Sequence, residues 1–403
     1  MKRKPYILSI SAFCLLALAA CSEESLVQDI PQGSVPVGFS SNIPATKAVT
    51  EYTNKNLETM GVFTYFTNGN FDATATPNFM YNQLVEKNTN ENINYPWTYE
   101  PVKFWPTNGT DLLSFFAYAP YVDGTAGSNP KLSGNTAQGF PTLTYTVPTA
   151  EANQIDLLAA TPQMNKKYSD NNGTVTFSLK HALTKVAVYI KSGDDIAGKK
   201  VTAFSIQSTK KGTLAFCNPT TGGDTDNANT NGFTWSFTDQ TMETFKPTET
   251  SWDVPLKSVS ETDNPTVLLA TFYLLPNTTA ESTFSITYTY PSPIINNETV
   301  GTQKIELPYK PLPSTENWQP GAFISYTYSV TKKKVTVTAA ECSDWAYGGT
   351  STVIGGINFE DISSSDIPDW KPGGSDVVDG EEIPDTTNGD ADFADDADKT
   401  VND

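Results

Sequence analysis

Short runs in which apolar and polar residues alternate recur along most of this chain. No stretch repeats apolar residues at the three- and four-residue spacing of a helix. Clusters of Asn, Gly, Pro and Asp separate the runs, as they separate the strands of a sheet. Between positions 175 and 181, the residues that share one face are Val175, Phe177, Leu179 and His181. The pattern therefore predicts an all-β protein, and many short strands at this spacing favour β-sandwiches.

Two predicted strands are more apolar than the others. Leu112–Tyr118 is apolar at nearly every position, so we expect it to be buried on both faces, and 267–275 is also nearly continuously apolar. The asparagine-rich stretch 71–94 is expected to form a long loop. Further strands are expected at 35–39, 61–66, 143–147, 186–190, 202–206, 284–290 and 323–339, the last broken near three lysines.

The alternation is interrupted by Ser-Asp-Asn-Asn-Gly at 169–173, and we place a domain boundary there. This predicts an N-terminal β-sandwich at residues 35–172 and a C-terminal one at 173–348, with one further strand within 349–360. Residues 361–403 are acidic and rich in Gly, Ser and Pro. Because few of them are able to form a core, we expect a disordered tail.

Residues 1–20 have the features of an export signal. A basic start at 2–4 precedes an apolar run at 7–18 that is too short to span a bilayer. The four residues that end at Cys21, Leu-Ala-Ala-Cys, resemble the lipobox of bacterial lipoproteins. The resemblance predicts cleavage between Ala20 and Cys21 and lipids on the cysteine. The alternative is an ordinary secretory signal that happens to end near a cysteine.

A polar leader follows the predicted anchor at residues 21–34. Several acyl chains on one residue hold a protein firmly to a membrane, whereas one chain holds it reversibly. The acidic pair Glu23-Glu24 resembles the surface-export signal of some Gram-negative outer-membrane lipoproteins. The expected location is therefore the outer membrane, with the protein exposed at the cell surface.

The charge balance excludes one class of partner. With 26 Lys+Arg against 45 Asp+Glu the formal net charge is −19, and the chain has no basic stripe for nucleic acid. From Asn358 onward 15 acidic residues stand against Lys371 and Lys399. Loose calcium binding at Asp385–Asp398 is one interpretation of this acidity. A solvated spacer fits better, because the EF-hand glycine and glutamate positions are not met.

Four cysteines are present, but Cys14 leaves with the signal and Cys21 is the predicted anchor. Cys217 and Cys342 remain. They form either one disulfide or two separate, partly buried thiols, and the second interpretation is favoured because nothing in the sequence places them together.

The sequence offers little for catalysis, and we predict neither an enzyme, a cofactor nor a metal site. Its one histidine, His181, lies on the apolar face of a strand and is expected in the core or at a domain interface. Trp97, Tyr99 and Trp105 belong to an aromatic cluster that is either core or, where exposed, a platform for stacking sugars.

Several stretches together resemble the fimbrillin family, the subunits of type V pili of Gram-negative bacteria. The resemblance runs from the signal to about Tyr347. The stretches are Leu18–Cys21, 37–39 with 45–48, Trp97–Pro120, Gln154–Ala159 and Phe177–Val186. It implies two tandem transthyretin-like Greek-key sandwiches that are exported as a lipoprotein and support cell adhesion.

The resemblance also implies an assembly mechanism. A protease cuts in the loop after the first strand, which here means removal of Val35–Phe39 by a cut between Lys47 and Ala48. The family has arginine at this place, so either a lysine-tolerant protease cuts after Lys47 or no cut occurs and Lys47 is an ordinary loop lysine. A C-terminal strand of another fimbrillin-like subunit, here Ser351–Phe359, then fills the groove. The alternatives are a tip adhesin or permanently anchored lipoprotein that binds a host glycan or protein and, more remotely, a surface glycan-active enzyme.

Overall fold

The computed structural model describes the chain over residues 32–43, 52–53, 55–88, 97–170, 172–219, 231–238, 241–257, 265–276, 282–291, 300–308, 318–331, 335–344 and 352–353. The regular secondary structure of these residues is almost entirely β-strand, which confirms the predicted all-β class. The 3₁₀ turns Glu151–Asn153 and Tyr168–Asp170 are the only helical segments in the described ranges. No helix there is long and apolar enough to cross a membrane.

The N-terminal unit contains twelve strands. They are β1 (Gln32–Pro36), β2 (Gly38–Asn42), β3 (Thr59–Asn68), β4 (Met80–Lys87), β5 (Trp97–Thr98), β6 (Phe104–Pro106), β7 (Asp111–Ala119), β8 (Lys131–Leu132), β9 (Thr142–Thr146), β10 (Leu158–Ala160), β11 (Gln163–Lys166) and β12 (Thr174–His181). Eight of them form one sheet in the order β10-β12-β2-β5-β4-β3-β7-β11. A further pairing of β10 with β7 closes the path, so the sheet wraps around its own core.

The position of β12 differs from the predicted domain boundary. This strand pairs with β2 and with β10, so it belongs to the first unit, although residues 173–348 were expected to form the second. Asn172 and Gly173 have positive φ angles of 50° and 83°. The turn signal was therefore real, but it marks a tight turn inside the first unit rather than a boundary.

The C-terminal unit contains the other twelve strands. They are β13 (Thr184–Ser192), β14 (Lys200–Thr209), β15 (Lys211–Phe216), β16 (Phe233–Ser236), β17 (Met242–Phe245), β18 (Trp252–Asp253), β19 (Val267–Leu274), β20 (Thr283–Pro291), β21 (Val300–Pro308), β22 (Ala322–Val330), β23 (Val335–Asp344) and β24 (Thr352–Val353). One sheet runs β19-β13-β22-β23-β24 and another β17-β14-β20-β21. Ring contacts such as Phe204 with Phe272 and Phe284 with Tyr326 join the two sheets.

A four-stranded sheet connects the two units. Its order is β16-β15-β9-β8, so strands from the second unit pair directly with strands from the first. Beneath it, Phe116 of the first unit packs against Phe216 of the second, with ring centroids 5.7 Å apart. The Trp235 indole N–H also donates to the Ala182 carbonyl at 2.7 Å. Backbone pairing and side-chain packing therefore join the units.

The buried apolar residues fall into two clusters. The joint core extends through both units and contains Phe116, Phe216 and Phe272. The slot core lies within the first unit and contains Phe39, Phe115 and others. All nine residues of β7 are buried, as predicted for this stretch, because neighbouring residues on the strand face different clusters.

The predicted long loop at 71–94 is corrected by the structure, because β4 lies within it. Polar side chains hid this strand. Asn82 has a positive φ of 46° and is nearly buried. It accepts a hydrogen bond from the Tyr118 hydroxyl at 2.7 Å, and its amide donates to the Val122 carbonyl at 2.9 Å. A buried asparagine with these partners fits a strand that the alternation of apolar residues did not reveal.

Candidate functional site

The predicted processing residues lie outside the described ranges. They are Ala20 and Cys21 at the signal cleavage site, and Lys47 and Ala48 at the maturation site. These assignments remain predictions. The strand that the maturation cut would remove is described, as β1 and β2, and it ends shortly before the predicted cut. The candidate site is therefore the place in the fold that holds this strand, which we call the first-strand slot.

Main-chain pairing lines the slot on both sides. On one side β2 runs parallel to β12, with five residue pairs from Gly38↔Thr174 to Asn42↔Ser178. On the other side β5 and β6 make shorter contacts, including Phe39↔Trp97. The Val37 amide donates to the Lys103 carbonyl and the Gly38 amide to the Gly173 carbonyl, both at 2.9 Å. The first strand thus completes the sheet between partners that come much later in the sequence.

The floor of the slot is aromatic. Phe39 is fully buried, and its ring stacks on Phe177 with centroids 5.6 Å apart. Tyr99 and Phe115 contact the same ring at 5.2 and 6.1 Å. Val37 and Ile43 are also buried, with 1% and 2% of their surface exposed. Alternate residues of the first strand therefore anchor it in the slot core, and burying each contributes about 1.5–3 kcal/mol.

The three candidate ligand-binding aromatics are buried around the slot. Trp97, Tyr99 and Trp105 are 4%, 9% and 3% exposed, so the sugar-platform interpretation is wrong for these residues and the core interpretation is confirmed. The Tyr99 hydroxyl donates to the Val37 carbonyl at 2.8 Å, and the Trp97 indole N–H donates to Ser41 Oγ at 3.2 Å. Their polar atoms thus bind the first strand. Burial raises the pKa of Tyr99 to about 12.

A polar contact holds the chain just beyond the predicted cut. The Tyr52 amide donates to Asp156 Oδ2 at 3.2 Å. The other oxygen, Asp156 Oδ1, lies 2.8 Å from Nδ1 of His181, the last residue of β12. His181 is 3% exposed, which confirms its predicted place in the interior. Burial, followed by the nearby carboxylates of Asp156 and Glu58, raises the pKa of Tyr52. Asp156 thus connects the segment after the cut to the strand that borders the slot.

The sequence did not predict the roles of three residues that shape this site. Phe115 and Phe177 were expected in the core but not as the walls of a slot, and Asp156 lies in a stretch that resembles the family but was given no role of its own. Their role depends on pairing between strands that lie more than a hundred residues apart, which local alternation does not encode. Burial raises the pKa of the half-buried Cys217 thiol, and the interpretation of two separate thiols stays a prediction.

The arrangement of the slot suits the binding of a β-strand. Among the described residues, no three His, Cys, Asp or Glu side chains are placed to hold a metal ion. Removal of β1 and β2 would leave one edge of β12 without its backbone partners and the slot core open. Such an edge strongly favours the addition of another strand. The fold and the slot thus define a class of all-β proteins in which an N-terminal strand completes the sheet between partners from later in the chain.

Comparison with known proteins identifies the family. The fimbrillin-like family model matches residues 46–345, so the chain belongs to this family of fimbrial proteins. It is 31% identical over 186 residues to the fimbrium subunit Fim1C of Phocaeicola vulgatus, a match that covers 43% of this chain. The match covers 48% of Fim1C, so the chain spans about half the length of that curated relative.

A solved structure supports the fold. A fimbrial protein from Bacteroides vulgatus superposes with a TM-score of 0.55 at 21% sequence identity. The superposition covers 77% of this chain and 99% of that protein. The likeness confirms the overall β-architecture that the family resemblance implied.

Proposed function

We propose that this chain is a structural subunit of a surface fimbria that supports cell adhesion, assembled by strand exchange with other fimbrillin-like subunits. A lipid on Cys21 would carry it to the outer membrane, and a cut between Lys47 and Ala48 would then release the anchor together with the first strand. The observation that carries this proposal is the first-strand slot. The strand held there lies immediately before the predicted cut and is bound to the rest of the unit by hydrogen bonds and side-chain burial.

The division of the interior into two clusters supports survival of the subunit after the cut. Val37, Phe39 and Ile43 all belong to the slot core, and the joint core contains no residue of β1 or β2. Loss of the strand would therefore open one cluster and leave the packing between the units in place. The contact of Tyr52 with Asp156 would keep the new N-terminal segment attached.

The donor strand is proposed within Ser351–Phe359. Its last three residues, Ile357-Asn358-Phe359, match the apolar spacing of Val37-Gly38-Phe39 in the first strand. A phenylalanine two residues after a branched aliphatic residue would place one aromatic ring against Phe115 and Phe177 and one aliphatic side chain in the site of Val37. The slot would thus recognise a strand by an aromatic anchor.

The test is controlled proteolysis of the chain purified from the outer membrane. We expect a trypsin-like protease to remove residues up to Lys47 and the product, which starts at Ala48, to form a ladder of polymers. Lys47→Arg should respond to an arginine-specific protease as well, whereas Lys47→Ala should be cut by neither. Cleavage at scattered loops without polymer would overturn the mechanism.

A second variant tests the donor strand. Phe359→Ala should leave cleavage unchanged and reduce polymer formation at least tenfold, because the slot would lose its aromatic anchor. Ile362→Ala, outside the proposed strand, is the matched control and should polymerise normally. The tip-adhesin and enzyme alternatives have no comparable support, since the candidate sugar-stacking rings are buried.

A further inference from the structure

A cleft of about 510 Å³ opens over the sheet that joins the two units. Its floor includes Thr144 and Thr146 of β9. Leu143 and Tyr145, the neighbours of these threonines, point into the joint core, so the floor is the face turned away from it. The rims carry Lys131, Lys210 and Lys211, of which Lys131 and Lys211 are exposed. The cleft thus lies on a surface to which both units contribute, away from the first-strand slot.

The strand register fixes the positions of the two exposed lysines. Lys131 of β8 is opposite Thr144, and Lys211 of β15 is opposite Thr146. Residues that are opposite each other share a face, so the two lysines stand on either side of β9 and above the same floor. Strands are about 4.8 Å apart, and residues two apart on one strand are about 7 Å apart. The two lysines therefore straddle a channel wide enough for an extended peptide.

The walls of the cleft are held in place by hydrogen bonds. The Asn129 amide donates to the Thr146 carbonyl at 2.7 Å, and its oxygen accepts the Thr146 N–H at 2.9 Å. On the other side, the Val147 N–H donates to the Lys210 carbonyl at 2.9 Å. Both rims are thereby attached to β9, so binding would not require ordering of the main chain.

The charge of the cleft is opposite to that of the protein as a whole. The chain carries −19 overall, yet the cleft is lined by three lysines and by no aspartate or glutamate. Lys210 pairs with Glu243 at 2.7 Å. In the part of the chain that the structure describes, no carboxylate lies within salt-bridge distance of Lys131 or Lys211. Two ammonium groups are thus available to an acidic ligand.

We propose that this cleft binds the acidic C-terminal segment of this chain, Asp376–Asp398. The segment has ten carboxylates and no lysine or arginine. Acidic residues recur in it two and three positions apart, as in Asp390 with Asp392 and Asp392 with Asp395. In an extended chain these spacings are about 7 and 10 Å, which two flexible lysine side chains can reach from Cα atoms about 12 Å apart across β9. The lining has no aromatic ring on which a sugar could stack, so an acidic peptide is the better fit.

Lysine–carboxylate cross-linking of the full mature chain with a water-soluble carbodiimide tests the contact. We expect amide cross-links from Lys131 and Lys211 to Asp376–Asp398, and their loss at ~0.5 M NaCl, where exposed charges are screened. A mixture of ¹⁵N-labelled and unlabelled protein shows whether the segment comes from the same or a second copy; either source supports the proposal. Cross-links spread over all exposed lysines, such as Lys55 and Lys257, would overturn it.

Charge variants provide a second measurement that does not use cross-linking. In the uncross-linked protein, a glutamate-specific protease should cut after Glu381 and Glu382 about three to five times faster when Lys131 and Lys211 are both changed to Gln. Changing both to Arg keeps the charge and should preserve protection. Lys55→Gln with Lys257→Gln removes the same charge elsewhere and is the control. Equal cleavage rates in all four proteins would contradict the proposal.

Discussion

Two sheet edges in this protein are covered by different means. The edge of β12 is covered by a whole strand, β2, through a parallel ladder of five residue pairs. The outer edge of β19 is covered by side chains from the 3₁₀ turn Glu151–Asn153 and the residue that follows it. Glu151 Oε1 accepts the Thr271 N–H, and Gln154 Oε1 accepts the Tyr273 N–H, each at 2.8 Å.

The difference is consistent with the proposal that the edge of β12, and not that of β19, takes part in strand exchange. Glu151 also accepts the Thr248 N–H at 2.9 Å, and the Gln154 amide donates to the Pro148 carbonyl at 3.0 Å, so these caps are tied into both units. Side-chain caps of this kind satisfy an edge without offering a strand-shaped space, which prevents pairing with another chain. Removal of β2, in contrast, would leave a space of the shape of a strand along the edge of β12. Under the proposed mechanism, the edge of β19 stays closed, whereas the edge of β12 is closed by a strand that another subunit replaces.

The largest effect is expected for Phe39→Ala, which tests whether side-chain burial holds the first strand on the edge of β12. The ring is fully buried among Tyr99, Phe115 and Phe177, so its loss should lower the free energy of unfolding of the uncut protein by about 3–5 kcal/mol. Urea unfolding of the uncut chain measures the effect. Ser40→Ala, which loses one exposed hydroxyl contact to Thr176, should cost less than about 1 kcal/mol. A loss below about 1 kcal/mol for Phe39→Ala would show that the first strand is not anchored by this ring.

The next largest effect is expected at the capped edge. Changing both Glu151 and Gln154 to Ala leaves the Thr271 and Tyr273 amides without these acceptors, at a cost of about 1–3 kcal/mol each. The uncut protein should also associate in a concentration-dependent manner, because the outer edge of β19 is then open to pairing. Light scattering measures the association. Glu151→Gln keeps a carbonyl oxygen and should stay monomeric, whereas a monomeric double-alanine variant would contradict the capping role.

The sequence predicted which residues of β12 are buried, but it did not predict which strands lie beside β12. The alternation of Val175, Phe177, Leu179 and His181 in β12 placed these residues on one buried face, and all four are buried in the structure. It did not indicate that β12 pairs with a strand about 136 residues earlier, so the strand was assigned to the wrong unit. Parallel pairing over such a distance is determined by the assembled core rather than by local pattern.

The caps of β19 had no signal in the sequence at all. Glu151 and Gln154 lie in a polar stretch that is typical of a loop, and their role appears only when the second unit places Thr271 and Tyr273 beside them. The burial of the aromatic cluster, in contrast, was predictable from the sequence. Its residues are core, as the density of rings in a β-protein indicated, although their use in lining a slot follows from topology.

A substitution with a smaller effect distinguishes the contribution of the Tyr99 hydroxyl from that of its ring. Tyr99→Phe keeps the contact with Phe39 but removes the donor to the Val37 carbonyl, so the uncut protein should lose about 0.5–1.5 kcal/mol. Tyr81→Phe is the control, since its hydroxyl donates to the Ser133 carbonyl from an exposed position and should matter less. After the first strand is removed, Tyr99→Phe should cost less, because only the longer hydrogen bonds between the hydroxyl and the Lys103 main chain, both at 3.3 Å, remain to be lost. An equal cost before and after removal would place the role of this hydroxyl elsewhere.

The smallest effect concerns Lys185, which lies opposite Tyr273 in the strand next to the capped edge. Burial lowers the pKa of Lys185 from 10.5 to about 8. Between these two pH values the unfolded chain holds the proton and the folded chain releases it, so this residue makes stability rise with pH through that window. Lys185→Met should therefore stabilise the protein by only about 1 kcal/mol at pH 7, because part of the burial cost is relieved by water and by the Phe323 ring, whose centroid lies 4.8 Å from the ammonium nitrogen.

This advantage of Lys185→Met should shrink as the pH approaches 10.5, which urea unfolding at a series of pH values measures. Lys191→Met, half-buried at the other end of β13, is the matched control. Because Lys185 borders the joint core and the first strand belongs to the slot core, the gain should be the same before and after the first strand is removed. A gain that disappears with the strand would mean that the two edges are energetically coupled, and that the replaceable edge is not independent of the permanent one.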